Sequence, residues 1–295
     1  MSTIKNHFRV CMDKNKNEQS GTLYIVATPI GNLEDITLRA IRILREVDLI
    51  AAEDTRRTKK LLNAYEIKTP LISLHEHNEK EKSTMIISKI MSGINVAYVS
   101  DAGTPCISDP GHYLVGIARD GDINVVPIPG PSAVVTALSA AGFPADNFLF
   151  CGFLPAKDNK RRQFLELLKN EEKTIVFYES PVRFPATLHD IYDVLGDREI
   201  VVAREMTKTF EEIKKGKIAD FIGSEKFVKA KGEFTIVLKG EEKKIIPVTD
   251  EEIEENLLYL WKNKNLSLRD AVTEVVVQTG LSRKKIYSLA VKLRL

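Results

Sequence analysis

Between Thr22 and Gly142, short β-branched apolar runs alternate with longer stretches whose apolar positions return every three or four residues. The runs LYIVA, DLIAAE, PLISL, NVAYVS and NVVPI predict strands. Between them, ITLRAIRILREV sets Ile36, Ala40, Ile43 and Leu44 on one helical face, and TMIISKIMSGI repeats that spacing. Strands alternating with helices predict a mostly parallel sheet, because parallel neighbours need a crossover segment. The pattern changes at GFPADN. Beyond it, FLFCGF, KTIVFYES, EIVVARE and EFTIVLKG are separated by the helical segments NKRRQFLELL and PATLHDIYDVL, which predicts a smaller second α/β domain, open to mixed strand directions. The charged GEEKK leads into a helical end, where Thr249 with Glu252 and Ser267 with Asp270 have the spacing of N-terminal capping pairs and QTGLS supplies a turn. The expected fold class is α/β: two α/β domains over 21–143 and 144–241, an N-terminal tail over 1–20, and a helical, helix-turn-helix-like extension over 250–295.

The strands IVATPIGN (25–32), VAYVSDAGTPCISDPG (96–111) and VVPIPGPSAV (125–134) each stop abruptly at Gly and Pro. Such turns at the carboxyl ends of parallel strands are where open α/β sheets hold ligands. A dinucleotide site is a poor match, since Thr28 and Pro29 stand where a pyrophosphate needs bare glycine backbone, although Glu53 has the spacing of a ribose-binding acid. No GxxxxGK[ST] occurs, which removes the P-loop reading.

Composition narrows the classes. With 295 residues, 43% of them hydrophobic, the chain can build packed cores, and a net charge of only +2 confines any basic surface to local patches. No apolar run is long enough to span a bilayer and the first twenty residues lack a signal-peptide core, so the expectation is a cytoplasmic protein with a frayed amino-terminal tail. Cys11, Cys106 and Cys151 are odd in number and include no CxxC, which argues against a disulfide framework and a cysteine zinc site. Cys106 reads as a small filler rather than a nucleophile. His75 and His77 lack a clear third ligand, so no metal is expected. Asp54 could cap a helix or belong with Glu53 and Arg56 to a site. Lys157, Arg161, Arg162, Arg183, Arg204 and Lys208 stand at strand ends of the second domain, where cations would suit an anionic polymer or a polycarboxylate. The last helix, SRKKIYSLAVKLRL, clusters Arg283, Lys284, Lys285, Lys292 and Arg294 without an acid, as a phosphate-contacting element would.

Taken in order, TPIGN, AAEDTR, HEHN, SDAGTPCISDPG, PGPSA, FCGFLP, YESPVR, AREMTK and KGEFTIVLKG resemble the tetrapyrrole-methylase-type S-adenosylmethionine-dependent methyltransferases. The resemblance is to the branch that methylates a cytidine ribose 2′-hydroxyl in small-subunit (16S) ribosomal RNA, and it runs from about Thr22 to Gly240. It implies two α/β domains with S-adenosylmethionine in the cleft between them, and a homodimer. Carried over motif by motif, it assigns the donor to Ile30, Asp101, Thr104, Ser132, Ala133, Glu179, Met206 and Thr235. Glu53, Asp54, Lys157 and Glu205 are the candidates for the base that draws off the hydroxyl proton, and Arg56, Arg161 and Arg183 for contacts to the RNA. The partner implied is small-subunit ribosomal RNA or the assembled small subunit, with no membrane. TPIGN and SDAGTP depart from the glycine-richer first loop and GDP-type second loop of relatives acting on tetrapyrroles, which moves the expected substrate towards RNA. The alternatives are a C-methyltransferase of a porphyrin or corrin precursor and a non-catalytic RNA-binding assembly factor.

Overall fold

The computed structural model describes residues 20–224, 232–242, 249–264 and 266–293; apart from Ser20, the expected N-terminal tail lies outside them. Described residues up to Glu241 form one compact unit, and those from Glu242 onward another.

In the first unit, β1 (Thr22–Val26), β2 (Leu49–Ala52), β3 (Leu71–Ser73), β4 (Val96–Val99) and β5 (Asn124–Ile128) form a sheet of order β3-β2-β4-β1-β5, parallel throughout. The crossovers contain α1 (Leu38–Glu46), α2 (Thr55–Ala64), α3 (Glu79–Met91) and α4 (His112–Asp120). Strand β4 is buried on both faces, as its unbroken VAYV run requires. Ala97 and Val99 pack with Ala40, Ile43 and Leu44 of α1 on one side. Val96 and Tyr98 pack with Ile86 and Ile90 of α3 and Leu114 of α4 on the other. Neighbouring β1 and β4 send their outgoing chains in opposite directions, to β2 and to β5. That reversal opens a crevice at their carboxyl ends.

The second sheet, of order β6-β7-β10-β8-β9, contains β6 (Phe148–Phe153), β7 (Thr174–Glu179), β8 (Glu199–Arg204), β9 (Glu212–Lys217) and β10 (Phe234–Leu238). Only β6 and β7 are parallel; the other pairs are antiparallel. Strand β9 was not among the expected runs. Its sequence EIKKGK is an edge strand with little burial, so it carries no apolar signal.

Helices α6 (Asp158–Leu167), α7 (Phe184–Leu195) and the short α8 (Ile218–Phe221) cover one face of this sheet, through Leu165, Leu188, Ile191 and Ile218. The other face receives α5 (Ala133–Ala141), which leaves the PGPSA turn after β5. Val134, Ala137, Leu138 and Ala141 pack there with Val176, Val201, Ala203 and Val237. A helix rooted in the first sheet thus forms the floor of the second, and brings the ends of both sheets together.

The second unit contains α9 (Asp250–Lys264), α10 (Leu268–Thr279) and α11 (Arg283–Lys292), around a core that includes Leu257, Val272 and Leu289. Both expected caps are present. Thr249 N–H donates to Glu252 Oε2 at 2.9 Å while Glu252 N–H donates to Thr249 Oγ1 at 3.2 Å, and Asp270 N–H donates to Ser267 Oγ at 3.2 Å. Lys285 pairs with Asp250 at 2.8 Å. Arg294 lies outside the described residues.

Candidate active site

Three turns meet at the carboxyl end of the parallel sheet. The loop after β1 is bridged to the loop after β4 in both directions: Thr28 N–H donates to the Gly103 carbonyl at 2.9 Å, and Gly103 N–H donates to the Thr28 carbonyl at 3.0 Å. Thr104 Oγ1 donates to the Pro131 carbonyl at 3.1 Å, which draws in the turn before α5. Gly103 has a φ of +78°, a backbone conformation that favours glycine, and it packs in ordinary contact with Ile30 and the Pro131 carbonyl where the three turns cross. From the second sheet, Thr207 Oγ1 accepts from Asn32 N–H at 3.0 Å, and the close approach of Gly31 to Met206, Thr207 and Lys208 leaves no room for a side chain.

These turns enclose a cavity of about 270 Å³ with Ile30, Gly103, Thr104, Ser132 and Ala133 on one side and Phe153, Tyr178, Glu179, Phe234 and Thr235 on the other. Of the eight residues expected to hold the donor, Ile30, Thr104, Ser132, Ala133, Glu179 and Thr235 line it. Asp101 and Met206 do not. Asp101 stands behind the wall, where its Oδ1 accepts from Asp54 N–H at 3.0 Å and its Oδ2 meets Arg57 at 3.3 Å. Met206 is buried in the core that Ile30 and Ala133 pack against, so it shapes the wall from within. Apolar walls with a few hydroxyls and backbone groups suit a nucleoside carrying a small aliphatic chain, and the residues present fit S-adenosylmethionine.

None of Glu53, Asp54, Lys157 and Glu205 is among the cavity-lining residues. Glu53 Oε2 accepts from Asp101 N–H at 3.2 Å, and burial, with the neighbouring Asp101 and Asp54 charges, pushes its carboxyl above the usual range against the opposing pull of that amide and of Arg57. Asp54 is the N-cap of α2. Its Oδ1 accepts from Arg56 N–H at 2.8 Å, and the Arg56 guanidinium holds the carboxyl well below its ordinary range. Lys157 is exposed at the start of α6. Glu205 Oε1 accepts from Lys208 at 2.8 Å and from Glu233 N–H at 3.0 Å; burial opposes its ionisation, and these bonds outweigh it and hold the carboxyl low.

Most of the cations expected to face the cleft are held by carboxylates. Arg161 is a correction: it is 2% exposed, and its Nε donates to Asp190 at 2.7 Å while Nη2 reaches Asp158 at 2.8 Å. A guanidinium so enclosed ties α6 to α7 and cannot reach RNA. Arg162 pairs with Asp190 and Asp193, Arg204 with Glu212, and Lys208 with Glu205 and Glu233. Arg183 donates to the Leu154 carbonyl at 2.6 Å and to Glu179 at 3.2 Å. Arg56 keeps its side chain 88% exposed beside Asp54.

The sequence did not single out Asp109, Tyr178, Phe153 or Ser108, all of which line the cavity. Burial raises the Asp109 carboxyl to about 6, with the Glu53 and Asp101 charges adding to it and the Ser100 hydroxyl opposing it. Burial and the Asp109 charge raise the Tyr178 phenol to about 12. The Cys106 thiol is pushed up to about 11 by burial, then by Glu79 and Asp109, so it stays protonated as a filler would. The pair His75 and His77 sit edge to face with ring centres 6.0 Å apart, and among the described residues no group of three or more His, Cys, Asp or Glu is gathered to hold a metal.

Comparison with known proteins places this arrangement. The family model of tetrapyrrole (corrin/porphyrin) methylases matches residues 22–222. The ribosomal RNA small subunit methyltransferase I of Halalkalibacterium halodurans is 43% identical over 93% of this chain and 96% of its own length. The protein of the same name from Thermotoga maritima is 52% identical over 75% of this chain and the whole of its own. The solved uroporphyrin-III-C-methyltransferase of Thermus thermophilus is 19% identical, with a TM-score of 0.53 over 75% of this chain and 92% of its own, a likeness of fold.

Proposed function

Because the chain belongs to the tetrapyrrole (corrin/porphyrin) methylase family and is a methyltransferase of it, we propose that it moves the methyl group of S-adenosylmethionine to the ribose 2′-hydroxyl of a cytidine in small-subunit (16S) ribosomal RNA. The observation that carries methyl transfer is the convergence of Ile30, Thr104, Ser132 and Ala133 with Glu179 and Thr235 around one cavity. The RNA substrate is supported by relatives over 40% identical named ribosomal RNA methyltransferases, set against a tetrapyrrole enzyme below 20%.

When bound, the donor supplies a sulfonium-activated methyl group; the protein's task is to align it and exclude water. Ile30, Ala133, Phe153 and Phe234 give the apolar walls, and Thr104, Ser132 and Thr235 the polar positions that fix orientation. Holding acceptor oxygen and methyl carbon in line can lower the barrier by roughly 7–11 kcal/mol. Asp101 and Met206 act from behind, the first by locking the loop after β4, the second by filling the wall. Among the arginines expected to contact RNA, Arg56 is the exposed one and Arg183 is partly so. The same reading makes the protein a cytoplasmic homodimer acting on small-subunit RNA or the assembled subunit without a metal; among the described residues no helix is long and apolar enough to cross a membrane.

The test is to offer methyl-labelled donor with small ribosomal subunits, naked ribosomal RNA and a tetrapyrrole precursor, then digest the RNA to nucleosides. Label is expected in 2′-O-methylcytidine. Label in the tetrapyrrole would replace the reading with C-methylation, and label nowhere would leave a binding protein.

A further inference from the structure

Three carboxylate residues line the cavity: Asp109, Glu179 and Glu233. Two are engaged elsewhere. The Glu179 side chain is fully buried and accepts from Ser180 N–H at 2.8 Å, Thr187 Oγ1 at 2.6 Å and Arg183 at 3.2 Å. Glu233 is 72% exposed and pairs with Lys208 at 2.9 Å. Asp109 is partly buried, and among the described residues no ion pair engages it, which leaves a carboxylate with acceptor positions free.

The loop that carries it is built under constraint. Cys106 and Ser108 adopt φ of 70° and 61°, conformations that cost non-glycine residues of order 1–3 kcal/mol and persist only where the surroundings enforce them. Here the surroundings do so at both ends. Thr104 is tied to Pro131, Tyr98 OH donates to the Pro110 carbonyl at 2.8 Å, and the buried Glu79 Oε1 accepts from Gly111 N–H at 2.8 Å and Tyr113 N–H at 3.1 Å. Gly111, at φ +116°, lies so close to the Tyr98 ring that no Cβ would fit. A strained segment pinned on both flanks, with its carboxylate at a cavity wall, is a way of fixing that group against a reactant.

We propose that Asp109 is the general base of the transfer, the group that takes the proton of the acceptor hydroxyl. This rests on the function proposed above. The hydroxyl oxygen forms its bond to the methyl carbon as the carbon–sulfur bond breaks, with that electron pair left on sulfur as a neutral thioether. The proton passes to a carboxylate oxygen of Asp109 and then to solvent. A base is best tuned when its pKa approaches working pH, and the buried surroundings of Asp109 move it that way. The titratable groups facing it are Glu53 at the end of β2, Tyr98 on β4, Asp101 and Cys106 in its own loop, and Tyr178 on β7.

The test compares wild type with Asp109→Asn and Asp109→Glu on the full chain. Calorimetry with S-adenosylmethionine and with its demethylated product should give affinities within about twofold of wild type for Asp109→Asn. Its single-turnover methylation of small-subunit RNA should fall by about 10²–10⁴-fold. The wild-type rate should rise with pH through about 6 and then level off, and this limb should vanish in Asp109→Asn and survive, displaced, in Asp109→Glu. Three results overturn the proposal: a wild-type rate in Asp109→Asn, a pH limb that persists in it, or donor affinity lost in parallel with rate, which would make Asp109 a donor ligand. If wild type itself methylates no RNA, the function falls and this role with it; an active wild type with an equally active Asp109→Asn removes the role alone.

Discussion

Gly103 shows how the backbone conformation of one cavity-lining position selects its residue. Its φ of +78° predicts that Gly103→Ala costs about 1–2 kcal/mol in chemical unfolding and weakens donor binding, read by calorimetry. Unchanged values for both would show that the bridge between Thr28 and Gly103 is not needed. Asp109 gives the opposite expectation for stability. Its carboxyl is raised from 3.8 to about 6, so the stability it contributes is present below about pH 4 and lost as pH rises through 6. Asp109→Asn should therefore stabilise the protein at neutral pH, by on the order of 1 kcal/mol once partial solvent screening is allowed for, with the gain shrinking as pH falls from 6 to 4. Thermal unfolding at pH 7.5 and at pH 4 checks this; a gain that grows on acidification contradicts it. The three turns that carry Ile30, Thr104 and Ser132 were legible in the sequence because Gly and Pro mark strand ends, while the residues themselves came from the family resemblance. Asp109 was not, because SDPG reads equally well as an ordinary turn, and only the fold shows which side of that turn meets the cavity.

At the scale of elements, the parallel sheet was legible wherever burial on both faces forces a continuous apolar run, as in β4. Edge strand β9 escaped because its residues are mostly exposed and EIKKGK carries no apolar run. Arg161 misled for a related reason: its partner Asp190 is on the next helix, 29 residues away, and no local pattern announces a pairing across two helices. Glu79 is another such long-range device, a residue of α3 that caps α4. Glu79→Ala should cost about 1–3 kcal/mol, since the buried N–H groups of Gly111 and Tyr113 lose their acceptor. Because the same loop carries Asp109, methylation should fall more than donor affinity. Equal stability in urea titrations of both proteins would remove Glu79 from this role.

For the whole molecule, two sheets joined through α5 make one compact unit that contains every residue of the cavity. Described residues from Glu242 onward form a separate compact unit, and a relative is matched over its whole length by 222 residues of this chain. Deleting residues 242–295 should therefore leave donor affinity within about twofold of wild type; on the expectation that Arg283, Lys284 and Lys292 of α11 contact phosphates, it should also lower RNA affinity and flatten its salt dependence. A salt slope identical to that of the full chain would separate these helices from the RNA site. The division into sheets and a helical end was legible from apolar periodicity and from the caps at Thr249 and Ser267. The packing of α5 against the second sheet was not, since its face of Val134, Ala137, Leu138 and Ala141 names no partner.

The most direct test of the central claim, that these three turns form the donor site, is calorimetric titration of S-adenosylmethionine into wild type and Ala133→Phe, whose ring would fill the cavity. Saturable one-to-one binding to wild type, reduced at least tenfold in a variant that still unfolds cooperatively, is the predicted result. Wild-type affinity in that folded variant would mean the donor binds somewhere else.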